Sequence, residues 1–169
     1  ATGIDAATWA SSFDTVSACF SKGLGCPAGS IVVGDKKTIH KVRRIRKMFG
    51  GTMRQSGILA GGAMYALDHQ LKRLEADHAN AQLLAGGLQK IEGISCDPNL
   101  TETNLVFFNI DECLGAGDEF CRRLAERGVL AEALDAQRIR FVTHLDVTTD
   151  EVNQAIQITQ ELSQHVQSS

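Results

Sequence analysis

The chain has 169 residues, of which 43% are apolar and 22% charged, with a formal net charge of −3. That is the composition of a globular protein with one ordinary domain or two small ones. It gives nucleic acid no electrostatic footing, offers no run near the roughly 20 apolar residues of a bilayer-spanning helix, and lacks the basic start and apolar core of a secretory leader.

The chain opens on "ATGIDAATWASSFD", without an initiator Met. This reads as a turn and a short capped helix, a start expected of the later part of a longer protein. "TVSACF", residues 15–20, is rich in β-forming residues and predicts a short buried strand. Residues 21–27 form a turn with glycines at 23 and 25, and "AGSIVVG", residues 28–34, predicts a second strand. Residues 35–48 are basic and helical, with Ile39, Val42, Ile45 and Phe49 at helical spacing. Gly50 and Gly51 end that helix. A long helix is predicted over 54–78, with Ile58, Leu59, Ala63, Ala66, Leu67 and Leu71 as its buried stripe. The small residues of "GILAGGAM" predict another backbone lying against it, and residues 79–91 predict one more helix.

The pattern then changes. Residues 93–96 and 104–110 read as strands, 117–127 as a helix ended by Gly128, and 138–142 as a third strand. "TTDE" is a capping box, with Thr148 as cap and Glu151 at the third helical position, opening a final helix to about residue 166. The second half is therefore expected to be a small β-α-β module with a closing helix. The boundary falls near 92–94, which gives two domains, 1–92 and 93–169.

The five cysteines, Cys19, Cys26, Cys96, Cys113 and Cys121, are odd in number and show no CxxC spacing. Reduced thiols in a cytoplasmic protein fit better than a disulfide frame. Cys26, in the glycine turn, reads as a small residue in a tight place.

Lys22 is the one charge between Ala18 and Val33. Burial would favour its neutral amine, a nucleophile able to form a Schiff base, and Gly23 and Gly25 would let the backbone approach a ligand. A strand-end lysine that snorkels to solvent satisfies the same pattern.

"SFDTVSACFSKGLGCPAGSIVVGDKKTIHKVRRIRKMFGGTMRQSGILAGGAMYAL" resembles the L-threonine aldolases, pyridoxal-phosphate enzymes of the aspartate-aminotransferase fold. "SKGLG-P-GS" is similar to that family's cofactor-lysine signature, "RKMFGGTMRQSGILA" to its next motif and "RFVTHLDVT" to its C-terminal motif. The resemblance implies an α/β, fold-type-I fragment: the end of the large cofactor domain plus the small C-terminal domain. It implies that Lys22 is the Schiff-base lysine and that Arg140 binds the substrate α-carboxylate with its planar fork. It implies that Arg54 lies near the cofactor phosphate across a subunit interface, with Lys47 on the same approach. His144 reads first as a structural histidine, and the basic run 36–47 as a solvated or interface face.

The family's ring-stacking histidine and pyridine-pairing aspartate lie upstream of the lysine strand, and neither Asp5 nor Asp14 matches the latter's setting. The implied activity is retro-aldol cleavage of L-threonine or L-allo-threonine to glycine and acetaldehyde, with pyridoxal 5'-phosphate and no metal. A homo-oligomer, dimer or tetramer, is implied, with residues 47–62 at or near the interface. The alternatives are β-elimination or transamination on the same fold, or a fragment without chemistry.

Overall fold

The computed structural model describes residues 2–167, the side chains as far as His165. Its residues fall into two compact units that divide after Leu74, earlier than the 92–94 expected. The outermost residues of the two expected domains, Ala1 and Ser168–Ser169, lie outside the described residues.

In the first unit, the Asp5 carboxylate accepts from the N–H groups of Ala7 and Thr8 and so starts α1 (Ala6–Ala10). The strands β1 (Thr15–Cys19) and β2 (Ser30–Gly34) pair antiparallel, with Cys19 opposite Ser30. Asp35 caps α2 (Lys36–Met48), accepting from Lys37 N, Thr38 N and Thr38 Oγ1. These bonds hold its carboxyl below the ordinary range, the Thr38 hydroxyl contributing most. Helix α3 (Gly57–His69) follows.

Two expectations fail in this unit. The strands are exposed along their whole length, Val33 at 55%. A two-stranded ribbon has no second layer of its own, and apolar composition alone does not supply one. The expected 54–78 helix is also broken. Residues 70–73 form turns, α3 stops at His69, and α4 (Leu74–Leu88) runs through the break expected near residue 78. Of the expected stripe, Ala63 and Ala66 are buried, whereas Ile58 is 77% exposed.

The second unit is an antiparallel sheet in the order β3-β4-β6-β5 (Ile94–Ser95, Leu105–Ile110, Arg138–Val142, Glu132–Ala133). Strand β4 alternates, with Val106, Phe108 and Ile110 buried, and β6 buries Ile139 and Phe141. That face packs against Leu84, Ala85 and Leu88 of α4, Phe120 and Leu124 of α5 (Gly117–Ala125), and Val152 and Leu162 of α6 (Thr149–Gln167). Phe108 and Phe141 stack with centroids 5.2 Å apart. Because β4 and β6 are antiparallel neighbours, the expected β-α-β module is corrected to an antiparallel sheet with helices on one face.

Helix α4 belongs here because its buried side fills this core. Thr143 Oγ1 donates to the Asp77 carbonyl at 2.7 Å, and Asn80 bonds both Val147 O and Thr149 Oγ1. The capping box forms as expected: the Glu151 carboxylate accepts from Thr148 N and Oγ1, while Glu151 N reaches Thr148 Oγ1.

Candidate active site

Lys22 sits on a tight turn closed by Gly25 N donating to the Lys22 carbonyl at 2.8 Å. Gly25 has φ +70, the left-handed region that a β-carbon disfavours. The turn is anchored on three sides. Cys26 N donates to Phe20 O at 3.0 Å, Phe20 N donates to Gly29 O at 2.9 Å, and Arg73 Nη2 donates to Gly23 O at 2.8 Å. Phe20 and Cys26 are buried against Ala63 and Ala66 of α3.

The small residues of α3 serve this packing. The Cys26 thiol reaches the Gly62 carbonyl at 3.5 Å, and a β-carbon on Gly62 would stand 3.8 Å from Pro27 Cδ. A β-carbon on Gly23 would come within 2.9 Å of Leu74. The turn is thus a braced platform with Lys22 on its outer side. Lys22 itself is exposed, which corrects the expectation of a buried lysine: the apolar residues around it turn inward to α3. A reachable primary amine on a braced turn fits a lysine that bonds an aldehyde cofactor.

Arg54 is exposed in the turn that leads into α3. The next residue, Gln55, has φ +54, which costs a residue with a β-carbon roughly 1–2 kcal/mol. Lys47 is exposed near the end of α2, a helix with seven lysines and arginines and no acid. A cleft of about 450 Å³ in this unit is lined by Phe20, Ser30, Ile31, Arg46, Met53 and Ser56 among others. Lys22 and Arg54 are not in its lining.

Arg140 lies in the second unit, on the sheet face opposite the helices. There it stands between Phe107 of β4 and Glu132 of β5, its direct partners in register. Arg140 Nη2 donates to Glu132 Oε2, and Arg140 Nε is buried without an acceptor among the described residues. Arg138, two residues earlier on the same face, stacks over the Phe107 ring at 5.2 Å. His144 Nδ1 is 3.5 Å from Asp146 Oδ2.

Sequence reading missed Glu132, Phe107, Arg73 and Thr143. Glu132 sits in a strand of two residues, too short to show a period, and Arg73 acts through a carbonyl 50 positions away in sequence. Thr143 lies inside the quoted "RFVTHLDVT" motif, which was the available signal.

Solved structures share this fold. A serine palmitoyltransferase from Sphingomonas wittichii superposes with a TM-score of 0.74 at 15% identity, over 96% of this chain and 42% of that one. A Listeria monocytogenes protein provisionally named L-allo-threonine aldolase gives 0.70 at 17% identity, over 89% and 45%. The chain therefore has the α/β fold of these two proteins, which the resemblance implied, and covers less than half of each.

The beta-eliminating lyase family model matches residues 1–112, and the chain belongs to that family. The low-specificity L-threonine aldolase 1 of Arabidopsis thaliana is 39% identical over 149 residues, 88% of this chain and 42% of that protein. The low specificity L-threonine aldolase of Escherichia coli K12 is 39% identical over 143 residues, 82% and 40%. The chain spans about two fifths of the length of these curated relatives.

Proposed function

We propose that the protein carrying this chain cleaves L-threonine or L-allo-threonine to glycine and acetaldehyde, with pyridoxal phosphate bound. The observation that carries the reading is 39–42% identity to proteins named L-threonine aldolase, over 82–88% of the chain. In the reaction the Cα–Cβ bond breaks, the β-hydroxyl loses its proton as acetaldehyde leaves, and Cα gains one. Bound pyridoxal phosphate would supply withdrawal of electrons from Cα.

This chain's own residues do the holding. The Lys22 amine bonds the cofactor, and its exposed place on a braced turn supports that role. Arg140 binds the substrate carboxylate; Glu132 accepts only from Nη2 of its planar fork, and the donors left over support a further anionic partner. Arg54, with Lys47, offers positive charge to a phosphate across a subunit interface. The homo-oligomer, dimer or tetramer, is supported by exposed Met48, Phe49, Met53 and Ile58 and by the open space beside Gly57 and Gly61. Five free thiols support a reducing, cytoplasmic setting.

The test is product analysis of the whole protein, loaded with cofactor, on L-threonine, L-allo-threonine and L-serine. Acetaldehyde and glycine in equal amounts are expected from the first two. The family model's description favours one second reading, β-elimination. Ammonia and a 2-oxo acid, without glycine, would establish it instead.

A further inference from the structure

We propose that Glu132 is a positioning residue that holds the Arg140 guanidinium in place for the substrate carboxylate. The inference rests on the reading of Arg140 given above. It comes from the register of the small sheet, which sets Phe107, Arg140 and Glu132 side by side on one row of the open face.

Arginine has many rotamers and loses several of them when it binds. Here its stem is confined, because the side chain is 33% exposed and Nε is buried. Among the described residues Glu132 supplies the one hydrogen bond to the guanidinium, at Nη2. Without it, Nε and Nη2 would both lack acceptors, and the guanidinium would satisfy them by swinging out to water. With it, Nη1 and the second Nη2 hydrogen remain as the pair of donors for an incoming carboxylate. Removing Glu132 also removes a negative charge that repels that carboxylate. The carboxylate of Glu132 is 59% exposed, so water and salt screen this repulsion. The loss of order therefore outweighs it.

The experiment uses the whole protein with its cofactor and compares Glu132→Ala, Glu132→Gln, Arg140→Ala and the double variant Glu132→Ala/Arg140→Ala. In Glu132→Ala the KM for L-threonine should rise about fivefold, the upper range for a part-exposed ion pair, with kcat within twofold. Glu132→Gln keeps an acceptor and should recover at least half of the loss. Calorimetric binding of glycine should weaken by the same factor as KM. Binding of 1-amino-2-propanol, which has no carboxylate, should not change. In the Arg140→Ala background the Glu132→Ala change should have no effect on KM. An unchanged or lowered KM in Glu132→Ala, or equal weakening of the carboxylate-free amine, would overturn the proposal while leaving Arg140 in its role. Arg140→Ala with an unchanged KM would instead overturn the reading of Arg140.

Discussion

Gly86 and Gly87 are adjacent in α4, yet they should respond oppositely to alanine. Each glycine costs the helix about 0.5–1 kcal/mol relative to alanine through backbone entropy. A β-carbon on Gly86 would meet nothing within 4 Å. Gly86→Ala should therefore keep the whole gain and raise the melting midpoint of the second unit by roughly 2–8 °C, at about 4–8 °C per kcal/mol for a unit of this size. A β-carbon on Gly87 would stand 2.5 Å from Ile156 Cδ1, 2.8 Å from Cγ1 and 2.9 Å from Cγ2. Three atoms of one branched side chain are involved, so rotating its tip does not relieve the contact, and α4 and α6 must separate. Overpacking of this kind costs about 1–3 kcal/mol. After the helix gain, Gly87→Ala should lose about 1 kcal/mol net and lower the midpoint by roughly 4–8 °C. Circular dichroism melts of the two variants and of Gly87→Ala/Ile156→Ala make the assay, with the double variant freed of the clash. Equal shifts for Gly86→Ala and Gly87→Ala would refute the packing argument.

Three further outcomes follow from other contacts. Thr143→Val keeps the shape of a buried residue but removes the hydroxyl's bond to the Asp77 carbonyl, so urea unfolding should show a loss of about 0.5–1.5 kcal/mol. Arg122 and Arg123 hold the Glu119 carboxyl down at about 2. Its stabilising effect is therefore present above the ordinary carboxylate pKa and is lost as pH falls towards 2. The stability–pH curve of Glu119→Gln should be flatter than the parent's in that acid window, and 1 M salt should erase the difference, because the carboxylate is exposed. Arg140→Ala in the whole, cofactor-loaded protein should weaken substrate binding by about 2–3 kcal/mol, near the low end for truncating one partner of a charge pair, since a third of the side chain is exposed. An isotherm for glycine that matches the parent's would contradict its role.

The second unit was the more legible half. "NLVFFNI" and "RIRFV" marked β4 and β6 as runs of β-forming residues, and each strand has one buried and one open face. The capping box was readable because its chemistry is local. The pairing direction of β4 and β6 was not, since it depends on how 27 intervening residues, 111–137, return, which no window contains. In the first unit "TVSAC" and "SIVVG" announced a demand for burial without naming what would meet it, and both strands are open here. The break at 70–73 escaped notice because Leu71 keeps helical spacing with Leu67, while Arg73 is drawn to the Gly23 carbonyl by tertiary structure. Lys22 was found as an isolated charge and its glycines were read correctly as a turn. The bracing of that turn by Cys26, Arg73 and α3 rests on contacts at sequence distances of 36 and 50, beyond any local signal.

The measurement that tests the central claim most directly is borohydride reduction of the whole protein with bound pyridoxal phosphate, followed by peptide mass mapping. The reduction fixes an amine–aldehyde bond as a stable secondary amine. The account predicts one pyridoxyl-phosphate adduct, on Lys22, and its loss in Lys22→Ala together with acetaldehyde production from L-threonine. A stoichiometric adduct on another lysine, or full activity in Lys22→Ala, would contradict it.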